Sequence, residues 1–238
     1  MNIFQQKCKN IFHRLQRFVE LIHTYFTKEM TDIVGLARIN PVDNPVDLFR
    51  MWRDEAIKFQ FGLVNTCCLA TVSSLNLKVS SRNLILREFD DNGFVIMTDA
   101  RSQKVKDMNC NLYAAMCFLW DYKNDKQQHI TRQAKGLMKK LERPACQLIY
   151  EREPLYCKIR TYLCHQNQPA DWDDLNRQYN EILQNDNVHT MPDHVVAYKL
   201  APEMMEFYYA RDTLIADRIH YNKNVINKNY WEYQRIAA

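Results

Sequence analysis

The sequence predicts a mainly β fold of the α+β class, an antiparallel barrel with helices covering its ends. Short strand-like runs recur along most of the chain. Asp91-Asn92-Gly93 between two of them is a tight-turn signal, in which glycine supplies positive φ. The helical candidates gather near the start and within 143–186, so they do not alternate with strands as a parallel α/β sheet requires. With 238 residues the chain can bury a sizeable core as one large domain or two small ones.

Residues 1–28 have the pattern of a basic amphipathic helix. Phe4, Ile11, Leu15, Phe18, Ile22 and Phe26 recur at spacings of three, four and seven, and no acid precedes Glu20. This segment reads as an extension packed on the body rather than as a membrane-surface or mitochondrial targeting helix, because transit peptides are serine-rich and it has no serine. Residues 29–46, with Gly35, Pro41 and Pro45, read as a linker, which sets 1–43 apart from a main domain over 44–238. A helix starts at Asn44-Pro45, asparagine capping and proline in the first turn, with Leu48, Phe49, Trp52 and Ile57 on its apolar face. Strands are expected over 67–72, 79–89, 94–98, 113–120 and 129–141, with a short helix over 102–109 capped by Ser102. Helices follow over 145–152, 155–164 and 173–184, then strands over 195–200, 204–209, 218–222 and 231–236.

The composition narrows the chemistry. A net charge of +4 admits an anionic ligand but lacks the concentrated basic face that nucleic acid needs. The eight cysteines include no CxxC pair and several sit in apolar runs, which suits a reducing, cytoplasmic setting. No apolar run has transmembrane length, so no stable membrane insertion is expected. The seven histidines show no metal-ligand spacing, and no metal is expected. With four glycines and neither GxGxxG nor GxxxxGK[ST], any phosphate must be held by side chains and helix ends.

One such arrangement stands out. On a regular strand Arg82, Leu84, Leu86 and Glu88 share one face, and Asn83, Ile85, Arg87 and Phe89 the other. Thr98 ends the return strand, and Lys104 enters the first turns of the helix after Ser102. Arg82, Thr98, Ser102 and Lys104 together suit a dianion, since arginine supplies a planar fork and a helix N-terminus supplies free N–H donors. Taken alone, these residues leave solvated arginines as the simpler reading.

The order of motifs changes that weighting. NPVDLFRMW (44–52), CLAT (68–71), SSRNLILREF (80–89), NGFVIMT (92–98), SQKVKDM (102–108), CHQN (164–167), MEFY (205–208), Asp217-Arg218 and Trp231…Arg235-Ile236-Ala237 follow one another. In this order the chain resembles the pyridoxine (pyridoxamine) 5′-phosphate oxidase family over nearly everything from 44 onward. The resemblance implies a split β-barrel of the FMN-binding Greek-key type with covering helices. It also implies a homodimer with FMN at the interface. FMN would be held by Arg82, the main chain of Asn83, Leu84 and Ile85, Met97, Thr98, Gln103, Lys104, Gln166, Asn167, Tyr208 and Arg218. Arg82 and Lys104 would neutralise its phosphate, and Arg218 would reach it from the second copy. Gln103 stands in place of a usual arginine, Asn167 of a serine and Tyr208 of a tryptophan. A further glutamine of the family falls at Thr131 when Gly136 is aligned, while Gln128 or Gln133 needs a shift.

The implied activity is oxidation of pyridoxine or pyridoxamine 5′-phosphate by oxygen to pyridoxal 5′-phosphate, as in vitamin B6 salvage. The substrate side departs from the family. Arg87 replaces the lysine for the substrate phosphate, and the next three contacts align with Ile149, Glu153 and Cys157. Because Glu153 would repel a dianion, a one-residue slip that offers Tyr150 and Arg152, with Cys157, is the expected set. Leu214 and Ala216 stand where the family has a substrate-clamping arginine and a histidine. No catalytic residue is singled out, and a weakened or redirected oxidase is expected. The alternative is a non-catalytic relative that holds FMN or pyridoxal phosphate as a carrier, sensor or partner module.

Overall fold

The computed structural model describes residues 35–59, 62–124, 129–134, 138–166, 168–185, 190–224, 226–227 and 230–237. The helix expected over 1–28, together with Gln128 and Asn167, lies outside the described residues. Helix α1 (Pro45–Phe59) begins as its sequence dictates: Val46 N–H donates to Asn44 Oδ1 at 3.0 Å, and proline, with no N–H to leave unpaired, opens the first turn. Its buried face carries Leu48, Phe49 and Trp52, whereas Ile57, expected beside them, is exposed. Phe49 is the centre of the main core, with the rings of Phe89, Phe94, Phe118 and Trp120 at centroid distances between 4.7 and 5.3 Å.

The described strands form two antiparallel sheets rather than one closed barrel. They are β1 (Thr66–Val72), β2 (Val79–Ile85), β3 (Glu88–Asp90), β4 (Gly93–Asp99), β5 (Ala114–Lys123), β6 (His129–Ala134), β7 (Met138–Lys140), β8 (Val195–Leu200), β9 (Met204–Arg211), β10 (Asp217–Lys223) and β11 (Trp231–Ile236). One sheet has the order β11-β10-β9-β6-β5-β1-β2, the other β3-β4-β8-β7. Helix α2 (Gln103–Cys110) links β4 to β5, and α3 (Arg143–Glu151), α4 (Leu155–Leu163) and α5 (Trp172–Asn185) lie between β7 and β8 in sequence.

Two expected strands each divide between the sheets. The run 79–89 becomes β2, paired with β1, and β3, paired with β4. The crossing is visible in the backbone: Leu86 N–H donates to Asn65 O and Arg87 N–H to Val95 O, both at 2.8 Å, so adjacent residues bond to opposite sheets. The run 129–141 likewise becomes β6 in the large sheet and β7 in the small one. Strand β4 is covered on both faces. Phe94 and Ile96 join the main core, while Val95 packs in a second cluster with Cys146, Ile149 and Tyr150 of α3. Burial on both sides explains why β4 reads as an unbroken apolar run rather than an alternating one. At its first residue, Gly93 has φ +139°, and a Cβ there would lie 1.8 Å from Leu200 O.

The described part of the expected linker is packed. Leu36 bridges Ile215 in parallel, Ala37 and Ile39 are buried, and Ile39 N–H donates to Asp217 Oδ2 at 2.7 Å. Arg235 binds both the Asp217 carboxylate and Ile39 O, and Tyr221 Oη donates to Val42 O. Residues 35–43 are thus a strap laid across β10. The hydrogen-bonding backbone of a short segment can be satisfied this way without a strand of its own.

Candidate functional site

Three pieces of chain converge beside the small sheet: the end of β4, the start of α2 and the far end of α4. Between them lies a cavity of about 200 Å³. Leu84 and Arg87 come from the crossing between sheets, and Met97, Thr98 and Asp99 from β4. Glu153, Cys157, Arg160, Thr161, Cys164 and Gln166 come from α4 and its flanks, and His194 and Val195 close the site from β8. On an unbroken strand Leu84 and Arg87 would face oppositely. The change of sheet after Leu86 resets the alternation and brings both to one cavity.

Lys104 lies behind the polar wall, bound to two residues that line it. It is buried, and its Nζ donates to Thr98 Oγ1 at 3.1 Å and Gln166 Oε1 at 2.9 Å. Burial, with the nearby charges of Arg82 and Arg160 and against the pull of Asp99, brings its pKa down to about 8. Arg82 is anchored from β2: its Nη1 donates to Thr71 Oγ1 at 2.8 Å and Leu69 O at 3.2 Å. Thr71 passes a hydrogen bond to Asp107, which Gln103 also binds, so Gln103 braces this network. Asp99 is held by Arg101. Burial alone would raise its pKa, but the hydrogen bonds and charge of Arg101 leave it lower than an ordinary carboxyl. Ser102 occupies the N-cap position of α2, yet its hydroxyl makes no cap bond and is buried without a partner.

The other expected residues are placed as follows. Asn83 is exposed on β2, and Ile85 sits partly buried at the end of the β1–β2 ladder. Tyr208 and Arg218 do not line the cavity; they face each other across β9 and β10, with the guanidinium carbon 5.4 Å from the ring centroid. Arg218 Nε is buried without a hydrogen-bond partner. By register Gln133 stands opposite Tyr208, and Thr131 opposite Ala210, so Gln133, Tyr208 and Arg218 form one row across three strands.

On the substrate side, Arg87 and Cys157 line the cavity but Tyr150 and Arg152 do not. Tyr150 is fully buried in the second core cluster, where burial pushes its pKa up to about 12. Arg152 is exposed and pairs with Glu88. The residue of this turn that reaches the cavity is Glu153, whose Oε1 lies 2.7 Å from Arg87 Nε. Leu214 packs over Gly35 of the strap, with its Cδ2 3.2 Å from where a Cβ on Gly35 would be. Sequence reasoning passed over Asp99, Arg160, Thr161 and His194. The helical spacing of Cys157, Arg160, Thr161 and Cys164 marks one face and was a usable signal. Asp99 and His194 meet the site only through tertiary packing.

Among the described residues no three His, Cys, Asp or Glu side chains stand together to hold a metal, and no helix is long and apolar enough to cross a membrane. The residues present do fit a phosphate-bearing group. Arg82 and Arg160 add their charges to the buried amine of Lys104, and Ser102 Oγ at the start of α2 is a buried donor without an acceptor.

Comparison with known proteins adds the lineage. Residues 196–238 match the family profile described as the pyridoxine 5′-phosphate oxidase C-terminal dimerisation region. Pyridoxine/pyridoxamine 5′-phosphate oxidase 2 of Hydrogenovibrio crunogenus is 30% identical over 208 residues, covering 85% of this chain and 92% of that protein. The chain belongs to the pyridoxine/pyridoxamine 5′-phosphate oxidase family. Two solved structures share its fold. PhzG from Burkholderia lata 383, in complex with tetrahydrophenazine-1-carboxylic acid, superposes with a TM-score of 0.74 at 21% identity, covering 86% of this chain and all of that one. A pyridoxamine 5′-phosphate oxidase-related, FMN-binding protein from Nostoc punctiforme gives 0.64 at 15% identity, covering 81% and 96%. Family membership rests on the oxidase homologue; the two structures add the fold, in which strands of this kind form a divided rather than a closed barrel.

Proposed function

We propose that the chain is an FMN-dependent oxidase of the B6-vitamer type, with a split-barrel unit over 44–238 that works as a homodimer. The observation that carries this is Lys104, a buried amine set between Thr98 and Gln166 beside Arg82 and Arg160. Nothing in a folding core calls for three cations in one place, whereas a phosphate tail does. Arg82 and Lys104 would neutralise that phosphate, Thr98 and Gln166 would aim the amine, and Gln103, through Asp107 and Thr71, would brace Arg82. Leu84 and Met97 would lie against the ring system, with the main chain of Asn83 to Ile85 nearby.

A cavity of about 200 Å³ is smaller than the roughly 300–1,000 Å³ usual for cofactor-sized ligands. A second copy supplying Tyr208 and Arg218 would complete it. The outward side of β5, with Ala115 and the exposed Leu119, is apolar enough to meet that copy. FMN, held by Arg82, Lys104, Thr98 and Gln166, would supply a hydride acceptor for the carbon bearing the ligand's alcohol or amine and an outlet for the electron pair to oxygen as hydrogen peroxide. The alcohol would leave as the aldehyde, and the amine as an imine that water hydrolyses to the aldehyde and ammonia. The chain itself binds, orients and shields.

The second reading, a non-catalytic FMN carrier or sensor, is favoured by Leu214 and Ala216, since Leu214 is packed under the strap instead of offering a charge to a ligand. One set of measurements separates them. Purified protein should be yellow and release FMN on denaturation, and peroxide should form with a B6 vitamer. FMN without peroxide, restored in the Leu214→Arg/Ala216→His variant, supports the carrier reading. Colourless protein that ignores added FMN removes both.

A further inference from the structure

We infer that Glu153 sets the ligand specificity of the cavity: it admits a flat ring compound bearing a hydroxyl or ammonium group at that wall and turns away a phosphate monoester. This rests on the cavity being the ligand site of the proposed oxidase.

The side chain of Glu153 is only 6% exposed, yet it lines the cavity. One carboxylate oxygen is ion-paired with Arg87 Nε at 2.7 Å without the alignment of a hydrogen bond, and the other, Oε2, has no hydrogen-bond partner. A buried acceptor without a donor beside an open cavity calls for a ligand that brings the donor. A hydroxyl or ammonium does so. A phosphate dianion brings only acceptors and would set its charge against the carboxylate.

The arginine on the same wall does not offset this. Arg87, which could otherwise fork around a phosphate, is ion-paired with Glu153 at 2.7 Å. On this wall Glu153 cancels the charge of Arg87, so the pair offers no positive excess to a second phosphate, and Asp99 is already engaged by Arg101. The cationic surplus lies behind it, at Lys104 and Arg82, where the cofactor tail would sit. With Leu84 and Met97 given to the cofactor ring, the apolar wall left to the ligand is Val195.

The test is calorimetric titration of the purified full chain with pyridoxine and, separately, with pyridoxine 5′-phosphate, its flavin content being measured independently by absorbance. The wild type should bind pyridoxine at least about tenfold more tightly than the ester, since like charge at a desolvated contact discriminates strongly. Glu153→Gln keeps the shape, removes the charge and frees Arg87, so it should raise affinity for the ester by about tenfold or more. Glu153→Ser serves as a second probe if the glutamine variant folds poorly. Equal or tighter binding of the ester by the wild type, an unchanged preference in both variants, or binding of neither compound would overturn the inference. A flavin-loaded protein that prefers the ester overturns this inference and leaves the FMN reading standing. A flavin-free protein that prefers pyridoxine does the reverse.

Discussion

Replacing Lys104 by methionine should move cofactor affinity and stability in opposite directions. Methionine keeps the length and apolar stem but removes the charge and both hydrogen bonds, to Thr98 and Gln166. Burial comes first among the causes that take the lysine from 10.5 to about 8, followed by the Arg82 charge. A basic group with a lowered pKa costs stability while it is charged in the folded state. Below pH 8 both folded and unfolded chains hold the proton and the full cost is present. Between about 8 and 10.5 the unfolded chain still holds a proton that the folded chain has released, so stability rises with pH. That gap corresponds to about 3 kcal/mol at full strength, and water at the cavity mouth reduces it to roughly 1–2 kcal/mol. Thr98 and Gln166 can turn to cavity water, so at pH 7 the cofactor-free variant should gain about 1 kcal/mol, seen as a melting point higher by roughly 2–4 °C.

Binding should go the other way. A lost charge-assisted hydrogen bond of about 1.5–3 kcal/mol weakens FMN by roughly 10- to 150-fold. Flavin fluorescence quenching measures the affinity and a thermal melt the stability. In the wild type the affinity should be full below pH 8 and decline as pH rises above it; in the variant that decline should vanish. A variant that binds FMN like the wild type and melts lower would refute the assignment of Lys104 to an anion, leaving it a structural bridge between β4 and the end of α4.

Gly93→Ala should destabilise the fold by about 3 kcal/mol or more, because the residue has positive φ and its new Cβ would overlap Leu200 O; a urea transition unchanged from wild type would contradict the turn geometry. Asp217→Asn should loosen the strap, since the carboxylate holds both Ile39 N–H and Arg235. Limited trypsin digestion should then cut after the exposed Arg38 faster than in the wild type, and equal rates would mean that the apolar burial of Ala37 and Ile39 suffices.

Much of the fold could be read from local pattern. Asn44-Pro45 announced α1, Asp91-Asn92-Gly93 placed the β3–β4 turn, and helices α3 to α5 fall within a residue or two of their expected bounds. Period-two alternation failed at Leu86-Arg87, because nothing in the extended run 79–89 tells a chain when to leave one sheet for another. The strap failed for a related reason. Gly35 and Pro41 mark a segment without regular structure, and such a segment is loose or bound according to partners nearly two hundred residues away.

The candidate site divides along the same line. Arg82, Thr98 and Lys104 could be singled out early because a strand end and a helix start offer donors that any anion can use. The choice between Arg152 and Glu153 could not be made that way. Adjacent helix-end residues point about a quarter-turn apart, and charge preference favoured the arginine while packing turned Glu153 inward against Arg87. Residue types and short spacings thus decide which groups can hold an anion and which segments are strand or helix. Which of those groups face one cavity, and with what net charge, is decided by long-range contacts, since burial and pairing depend on neighbours that the chain brings together only when it folds.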